Sequence, residues 1–220
     1  MKYSNYWKQA GLPESSKLFS CKKEDLQGEE KYMQMVEKIF NWDFDKPSIL
    51  SIFSAQNGVG KTHIAICLLK KYIYSKCEQL KELETESSRE NYEAYEKKTH
   101  FENTFGSIKI KKEYDIYYEI LATYKQSNNM QTEEQIINDY CNLDFLVIDD
   151  MFSTKENEFA RRVILTIIDK RVDWLCKPTV ITSNKLLKDI NEIDSRIASR
   201  IDNDYLFQIT SQTKDWRKEK

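Results

Sequence analysis

The segment at residues 55–62 (AQNGVGKT) has residue types and a spacing that could hold a chain of phosphate groups. It fits the pattern G-x-x-x-x-G-K-[ST], with alanine at a first position that makes the turn and tolerates a small residue. Gly58 and Gly60 permit backbone conformations, and a close approach of the anion, that a side chain would block. Lys61 would reach the β- and γ-phosphates, and the Thr62 hydroxyl would ligate Mg²⁺. We therefore expect ATP to be bound by the following residues: Gln56, Asn57, Gly58, Val59, Gly60, Lys61, Thr62 and His63.

Two adjacent carboxylates end the clearest apolar run of the chain. Residues 145–148 (FLVI) precede Asp149 and Asp150, so both acids would stand at the C-terminal edge of a buried strand, where ligands collect in open α/β sheets. Asp149 could hold Mg²⁺, directly or through water, and Asp150 could orient or deprotonate the attacking water. A turn cap has the same sequence, but the phosphate loop upstream favours a site for Mg²⁺ and water.

Three polar residues further along the chain could complete this site. Asn184 follows the β-branched run at residues 179–182 and could hydrogen-bond the γ-phosphate or the water, although a plain turn residue is its alternative role. Arg196 and Arg200 are four residues apart and share one helix face. Either could stabilise transition-state charge on the ATP of a neighbouring subunit. The alternative is that both are surface residues paired with Asp194, Asp202 or Asp204.

Alternating strands and helices would bring these side chains to one edge of a sheet. Hydrophobic periodicity and residue type predict strands near residues 48–54, 107–111, 144–149, 178–183 and 205–210. They predict helices near residues 29–42, 114–125, 156–175 and 193–201, and helices that begin near residues 62 and 132. The segment TEEQ at residues 132–135 fits a capping box. This alternation indicates a mostly parallel sheet that is covered on both faces.

Composition excludes several classes of protein. The 34 basic residues nearly balance 36 acidic ones, for a formal charge of −2, whereas a dedicated nucleic-acid-binding module is usually clearly basic. No apolar run approaches the roughly 18 residues of a membrane span, and the start of the sequence lacks a signal peptide. We therefore expect a cytoplasmic protein.

Histidine and cysteine usage argues against a zinc site or a disulfide framework. His63 is one of two histidines, so we expect it to pack or hydrogen-bond on the first helical turn rather than to bind a metal. The five cysteines are odd in number, and no two form a C-x-x-C pair. We expect reduced, mostly buried thiols.

Four stretches together resemble the AAA+ ATPases of the DnaC/DnaI/IstB group, which includes replicative helicase loaders. They are GVGKTHIA, DFLVIDDM, IIDKRVDWLCKPTVITSN and RIASRI, and the third is the most specific. The early AGLP at residues 10–13 and the late KDWR at residues 214–217 are also similar to the ends of that group. The likeness covers most of the chain except about residues 78–105, a charged stretch that would be either a helix extension or an insertion.

The resemblance implies an α/β P-loop NTPase fold of the AAA+ type, with a parallel five-stranded sheet in the order 5-1-4-3-2 flanked by helices. Residues 1–47 would form an N-terminal helical lead-in segment, and residues 48–220 the AAA+ ATPase domain. The resemblance implies sensor 1 at Asn184, the arginine finger at Arg200, and a place near the nucleotide for Arg217.

Members of this group commonly assemble through ATP at subunit interfaces, bind single-stranded DNA and engage a hexameric replicative helicase. We therefore expect a homo-oligomeric ATPase of the helicase-loader type that uses ATP and Mg²⁺ in DNA replication and binds single-stranded DNA weakly and only with ATP. Only residues 1–54 precede the phosphate loop, where helicase loaders usually carry a separate helicase-binding domain. Two alternatives therefore stay open: an IstB-like transposition helper with a transposase as partner, and a nucleotide-switched DNA-binding scaffold with little hydrolysis. A small-molecule phosphotransferase is a weaker alternative.

Overall fold

The computed structural model describes the chain in seven stretches, at residues 10–12, 21, 29–46, 49–86, 107–124, 131–153 and 158–209. The strands within these stretches are β1 (Ile49–Phe53), β2 (Ile108–Lys112), β3 (Phe145–Met151), β4 (Thr179–Ser183) and β5 (Leu206–Gln208). The helices are α1 (Glu30–Phe40), α2 (Lys61–Glu86), α3 (Glu113–Thr123), α4 (Glu133–Asn142), α5 (Glu158–Asp169), α6 (Leu187–Ile193) and α7 (Ser195–Ile201).

The strands form one parallel sheet in the order β2-β3-β4-β1-β5. This is the predicted order 5-1-4-3-2 read from the opposite edge, so the predicted α/β fold is confirmed. Two of the three interior strands, β1 (ILSIF) and β4 (TVITS), are buried along their whole length. Continuous apolar or β-branched runs of this kind are typical of strands covered on both faces.

Helices cover both faces of the sheet and bury two apolar clusters. On one face, Val36 of α1 and Leu68 of α2 pack against the sheet. On the other face, the helices from α3 to α7 supply side chains such as Ile116 and Ile167. Because α1 shares a core with α2, the helix of the N-terminal lead-in segment is part of the packed structure; the division at residues 47 and 48 stays a prediction.

Local sequence accounts for several helix boundaries. The predicted capping box is present at α4, where the Thr132 side chain accepts from the Gln135 backbone and the Gln135 side chain accepts from the Thr132 backbone. The helix predicted over residues 156–175 instead ends at Asp169 and continues as a wider π-helical turn, Lys170–Trp174. That turn carries the fully buried Arg171. A periodic pattern of apolar residues does not distinguish the two helix types.

The charged stretch at residues 78–105 begins as a helix extension. Residues 78–86 continue α2, and the remainder lies outside the described residues. No helix in the described part of the chain is long and apolar enough to span a bilayer.

The expectation that all the cysteines are reduced is wrong for one pair. Cys21 and Cys67 form a disulfide with their Cα atoms 5.4 Å apart, a separation that a disulfide bridges without distortion. These residues are 46 positions apart in the sequence, so only the tertiary structure could reveal the pair. Cys77 and Cys141 are buried thiols, as expected, and Cys176 is an exposed one.

Candidate functional site

Three loops meet at one edge of the sheet. The loop at residues 54–60 follows β1, the acid pair ends β3, and Asn184 follows β4. The parallel register aligns these ends, since the last residue of β4, Ser183, pairs with both Phe53 of β1 and Met151 of β3. The edge therefore gathers the groups that the sequence predicted would act together.

The loop at residues 54–60 has the backbone conformation that its glycines permit. Gly58 and Gly60 have φ angles of 77° and 89°, in the left-handed region that side chains disfavour. Helix α2 begins directly after the loop, so its first N–H groups and its positive pole face the same edge. Tyr32 of α1 supports the loop by donating a hydrogen bond to the Val59 carbonyl, at 3.3 Å. Burial raises the pKa of Tyr32 to about 12, so this donor stays protonated.

Lys61 lies against the loop rather than in solvent. Its side chain is nearly buried, with 7% exposure. Its Nζ atom donates to the carbonyl oxygens of Ser54, at 3.4 Å, and Gln56, at 3.0 Å. The ammonium group is thus held within the turn of the loop. Among the other residues predicted to bind ATP, Gln56 and His63 are half-buried and Asn57 is exposed.

Asp149 is the more enclosed of the two adjacent acids in β3, with 4% exposure. Its Oδ1 atom accepts hydrogen bonds from the hydroxyls of Thr62, at 2.8 Å, and Thr182, at 2.6 Å. Burial raises the pKa of Asp149, and these two hydrogen bonds oppose the rise. A carboxylate beside a hydroxyl offers the hard oxygen ligands that Mg²⁺ prefers. The predicted pair of metal ligands, Thr62 and Asp149, therefore lies together and fits that ion.

Asp150 is more accessible, with 32% of its side chain exposed. It has a φ angle of 57°, and its backbone N–H donates to the Thr182 hydroxyl at 3.0 Å. One carboxylate oxygen accepts from Asn184 Nδ2 at 3.2 Å, and the other lies 3.9 Å from Lys112 Nζ. The predicted pair of Asp150 and Asn184 is thus in direct contact.

Both candidate arginines are paired with acids of their own chain. Arg196 donates to Asp194 through Nε, at 3.2 Å, and Nη2, at 2.9 Å, while its side chain stays 67% exposed. Arg200 forms an ion pair with Asp169, the last residue of α5. This arrangement agrees with the alternative in which the arginines pair with acids on the surface. Arg217 lies outside the described residues.

Three residues of this edge were not found by sequence reasoning. Thr182 joins the two acids, since its hydroxyl donates to Asp149 and accepts from the Asp150 backbone. Lys112 and Glu113, at the end of β2, contact Asp150 and the loop after it. Lys112 stands next to Asp149 in the register of β2 and β3. Their only sequence signal is that polar residues end the predicted strand near residues 107–111.

The sheet order and the site at its edge define a P-loop NTPase of the AAA+ type. A sequence profile described as the bacterial DnaA ATPase domain matches residues 97–207, just over half of the 220-residue chain. The chain therefore belongs to the family of bacterial DnaA ATPase domains. The matched stretch contains the acid pair, Asn184 and both arginines, whereas the loop at residues 54–60 precedes it.

Solved structures share the fold at low sequence identity. Domain III of the Thermotoga maritima replication initiation protein DnaA has a TM-score of 0.59 and 13% identity, over 88% of this chain and 68% of that one. A replication initiator DnaA bound to AMPPCP and single-stranded DNA has a TM-score of 0.55 and 14% identity, over 89% of this chain and 52% of that one. DnaI has a TM-score of 0.55 and 18% identity, over 90% of this chain and 95% of that one.

These likenesses confirm the predicted resemblance to AAA+ ATPases of the DnaC/DnaI group at the level of the fold. This chain spans about half the length of the replication initiator bound to AMPPCP. No curated protein sequence matches the chain.

Proposed function

We propose that this protein binds ATP with Mg²⁺ and hydrolyses it to ADP and phosphate, as an AAA+ ATPase of the helicase-loader type in DNA replication. The observation that carries the proposal is the convergence on Asp149 of the Thr62 and Thr182 hydroxyls, within 2.8 Å. Thr62 lies on the first turn of α2, which follows the phosphate loop. A turn cap alone does not need two hydroxyl donors from separate elements on one buried carboxylate.

The loop and the two predicted metal ligands each have a role in this reaction. The N–H groups of the loop and of the first turn of α2 bind the phosphate oxygens. Lys61 exchanges its two carbonyl contacts for the β- and γ-phosphates. Bound Mg²⁺ would neutralise charge on the phosphates, with Thr62 and Asp149 as its protein ligands.

The hydrolytic step needs a group that orients water in line with the γ-phosphate. Asp150 is the accessible carboxylate of the pair, and Asn184 fixes one of its oxygens at 3.2 Å. In the proposed step, a water held by Asp150 attacks phosphorus, the bond to the ADP oxygen breaks, and the proton of the water passes to Asp150 and then to phosphate.

Two substitutions and one matched control test this proposal. Lys61→Ala should weaken ATP binding at least ~10-fold, since a charge-assisted contact to phosphate is lost. Asp150→Asn should keep ATP binding and slow turnover at least ~100-fold, as expected for loss of a positioned base. Lys70→Ala is the control, because Lys70 is also buried in α2, at 5% exposure. Calorimetric ATP titration and phosphate release measure the two effects, and near-wild-type affinity in Lys61→Ala contradicts the proposal.

A homo-oligomer would place the arginine of one subunit at the ATP of the next. Arg200 is the proposed finger, and it would leave Asp169 to reach the neighbour's γ-phosphate. An arginine suits this task because it stays charged and presents several donors in a fixed fork. Arg196 is the alternative finger, and its greater exposure favours it on accessibility alone.

Single-stranded DNA is the proposed second ligand, bound weakly and with ATP. A tyrosine surface on α3 and its neighbours supports this proposal. It consists of five aromatic rings in a continuous row of pairwise contacts, in the order Tyr114, Tyr118, Tyr117, Phe159 and Tyr124. Two of its rings, Tyr118 and Tyr124, are 62% and 64% exposed. Arg162 lies 4.9 Å from the Phe159 ring. Bases stack on such rings regardless of sequence.

The DNA proposal is tested by fluorescence anisotropy with a labelled oligonucleotide. Tyr118→Ala should weaken binding about tenfold, since stacking contributes roughly 1–3 kcal/mol per base. Tyr74→Ala is the matched control, because Tyr74 is an exposed tyrosine on α2, outside the tyrosine surface. Equal affinities of the two variants would contradict the placement. The partner itself, a replicative helicase or a transposase, is distinguished by which of the two purified proteins binds the ATP-loaded chain.

A further inference from the structure

Glu113 is a buried carboxylate that the proposed reaction does not yet use. It is the first residue of α3, directly after β2, and has 3% exposure. Its Oε2 atom accepts a hydrogen bond from the Phe152 backbone N–H at 2.7 Å. The Ser153 N–H, which donates to the Asp150 carbonyl at 3.2 Å, lies close enough to help lower the pKa of the carboxyl. Both N–H groups belong to the loop that directly follows Asp150.

This loop has an unusual backbone. Asp150 and Phe152 have φ angles of 57° and 61°, in the left-handed region that residues with a Cβ atom disfavour. The register of β3 against β4 is also irregular between Ile148 and Met151. Such conformations persist only where the surrounding structure fixes them, and they concentrate at functional sites.

Side chains from two elements fix the loop, one backbone group after another. From β4, the Thr182 hydroxyl accepts from the Asp150 N–H at 3.0 Å, and the Ser183 hydroxyl donates to the Met151 carbonyl at 2.6 Å. From the β2–α3 junction, Glu113 accepts a hydrogen bond from the N–H group of Phe152, the residue after Met151. The first two contacts hold the loop before its second left-handed residue, whereas Glu113 holds that residue itself.

Burying the Glu113 carboxylate to make this contact carries a desolvation penalty. Burial raises the pKa of Glu113 to about 7, and the N–H groups of Phe152 and Ser153 oppose that rise. An acid at the start of a helix also interacts favourably with the helix dipole, but an exposed side chain would serve that purpose without desolvation. The cost is explained if the backbone of this loop has to be held.

We propose that Glu113 is a positioning residue, which holds the Phe152 backbone and thereby keeps the Asp150 carboxylate aimed at the attacking water. The inference rests on the proposed ATPase function. It places the control of hydrolysis on a residue of α3, the helix that carries most of the tyrosine surface. Among the described residues, the hydrogen-bond partner of the Glu113 carboxylate is the Phe152 N–H rather than a group of the phosphate loop. Its loss should therefore separate hydrolysis from ATP binding.

The test compares Glu113→Ala and Glu113→Gln with the control Glu119→Gln. Glu119 is a half-buried acid of the same helix that hydrogen-bonds Tyr140. Hydrogen exchange of the Phe152 and Ser153 amides reports the loop, calorimetry reports ATP affinity, and phosphate release reports turnover. Glu113→Ala should lose amide protection and lower kcat at least ~10-fold, the scale of one lost hydrogen bond, with ATP affinity within about twofold.

Glu113→Gln should show intermediate protection and kcat, since its amide oxygen still accepts from one N–H. Unchanged amide protection in Glu113→Ala, or a parallel fall of ATP affinity and kcat, would overturn the inference. If the wild-type protein does not hydrolyse ATP, the proposed function fails. In that case, protected Phe152 and Ser153 amides that lose protection in Glu113→Ala would still support Glu113 as the residue that holds the loop, and unchanged protection would still overturn it.

Discussion

Replacing Arg171 should destabilise the whole domain, because its guanidinium joins two elements inside the core. The side chain has no exposed surface. Its Nη1 atom donates to three carbonyls at the C-terminal end of α4, those of Tyr140, Cys141 and Leu143, at 2.7–3.0 Å. Its other two nitrogens reach the start of β4, namely the Pro178 carbonyl and the Thr179 hydroxyl, both at 2.8 Å.

The expected loss follows from these five contacts. Arg171→Met keeps an apolar stem but leaves four buried backbone carbonyls without this donor. A buried acceptor that loses its partner costs about 1–3 kcal/mol. The native arginine also carries a desolvation cost, visible in the lowering of its pKa to about 10, and this offsets part of the gain. Four orphaned carbonyls would cost at least about 4 kcal/mol, and relief of the desolvation offsets part of that. We expect a net loss of about 3–5 kcal/mol, against a total stability of roughly 5–15 kcal/mol for a typical domain.

Urea denaturation followed by circular dichroism measures this loss. Arg162→Met is the matched control, because the Arg162 side chain is 66% exposed on α5; its loss should cost less than about 1 kcal/mol. Arg171→Lys should be intermediate, since an ammonium group has three donors and lacks the planar fork. The expected role of Arg171 is refuted if Arg171→Met lowers the free energy of unfolding by less than about 1 kcal/mol while the slope of that free energy against urea concentration is unchanged. The carbonyls would then not depend on this one guanidinium.

Further predictions concern assembly, DNA and pH. Mixing Arg200→Ala with Asp150→Asn should restore partial phosphate release, since some interfaces then combine an intact site with an intact finger; a mixture as inactive as its parts, while Arg196→Ala alone is inactive, would assign the finger to Arg196 instead. Oligonucleotide affinity, measured by anisotropy, should require ATP and fall with salt in proportion to the phosphates neutralised; tight binding without nucleotide would contradict this. Because the fold raises the pKa of Glu113 from its ordinary value of 4.5 to about 7, this group favours folding below its unfolded pKa, and that contribution is lost as pH rises through about 7. Urea titrations at several pH values measure this effect. Between pH 4.5 and about 7, the free energy of unfolding of the wild type should fall relative to that of Glu113→Gln by up to about 3 kcal/mol. A difference between the two proteins that stays constant over this range would exclude the raised pKa of Glu113.

Sequence reasoning predicted the sheet correctly, and it predicted the candidate groups that follow from local pattern, whose roles stay predictions. A phosphate loop is recognised from a few adjacent residues, because glycine conformations and the reach of Lys61 are local properties. Likewise, an apolar run that ends in Asp149 and Asp150 places both acids at a strand end, and parallel strands bring such ends together. The order of strands came from the resemblance to a family, since strand composition alone does not give it.

Other features depended on contacts between residues distant in the sequence. Glu113 and Phe152 are 39 positions apart, and nothing around either residue indicates that they meet. The partner of Arg200 was expected among aspartates close in sequence, whereas the structure gives Asp169. The disulfide at Cys67 was missed for the same reason.

The sequence by itself thus determined which chemical groups this protein carries and at which sheet edge they stand. Only the tertiary structure decided which further side chains hold these groups in place. Thr182 hydrogen-bonds both acids, and Glu113 hydrogen-bonds the loop that follows Asp150. The physical reason is that a strand end fixes the position of a backbone, whereas the aim of a side chain depends on every element packed around it. A hydroxyl or a buried carboxylate has no periodicity or spacing that marks its partner, so its role becomes visible only when the helices and the sheet are in place.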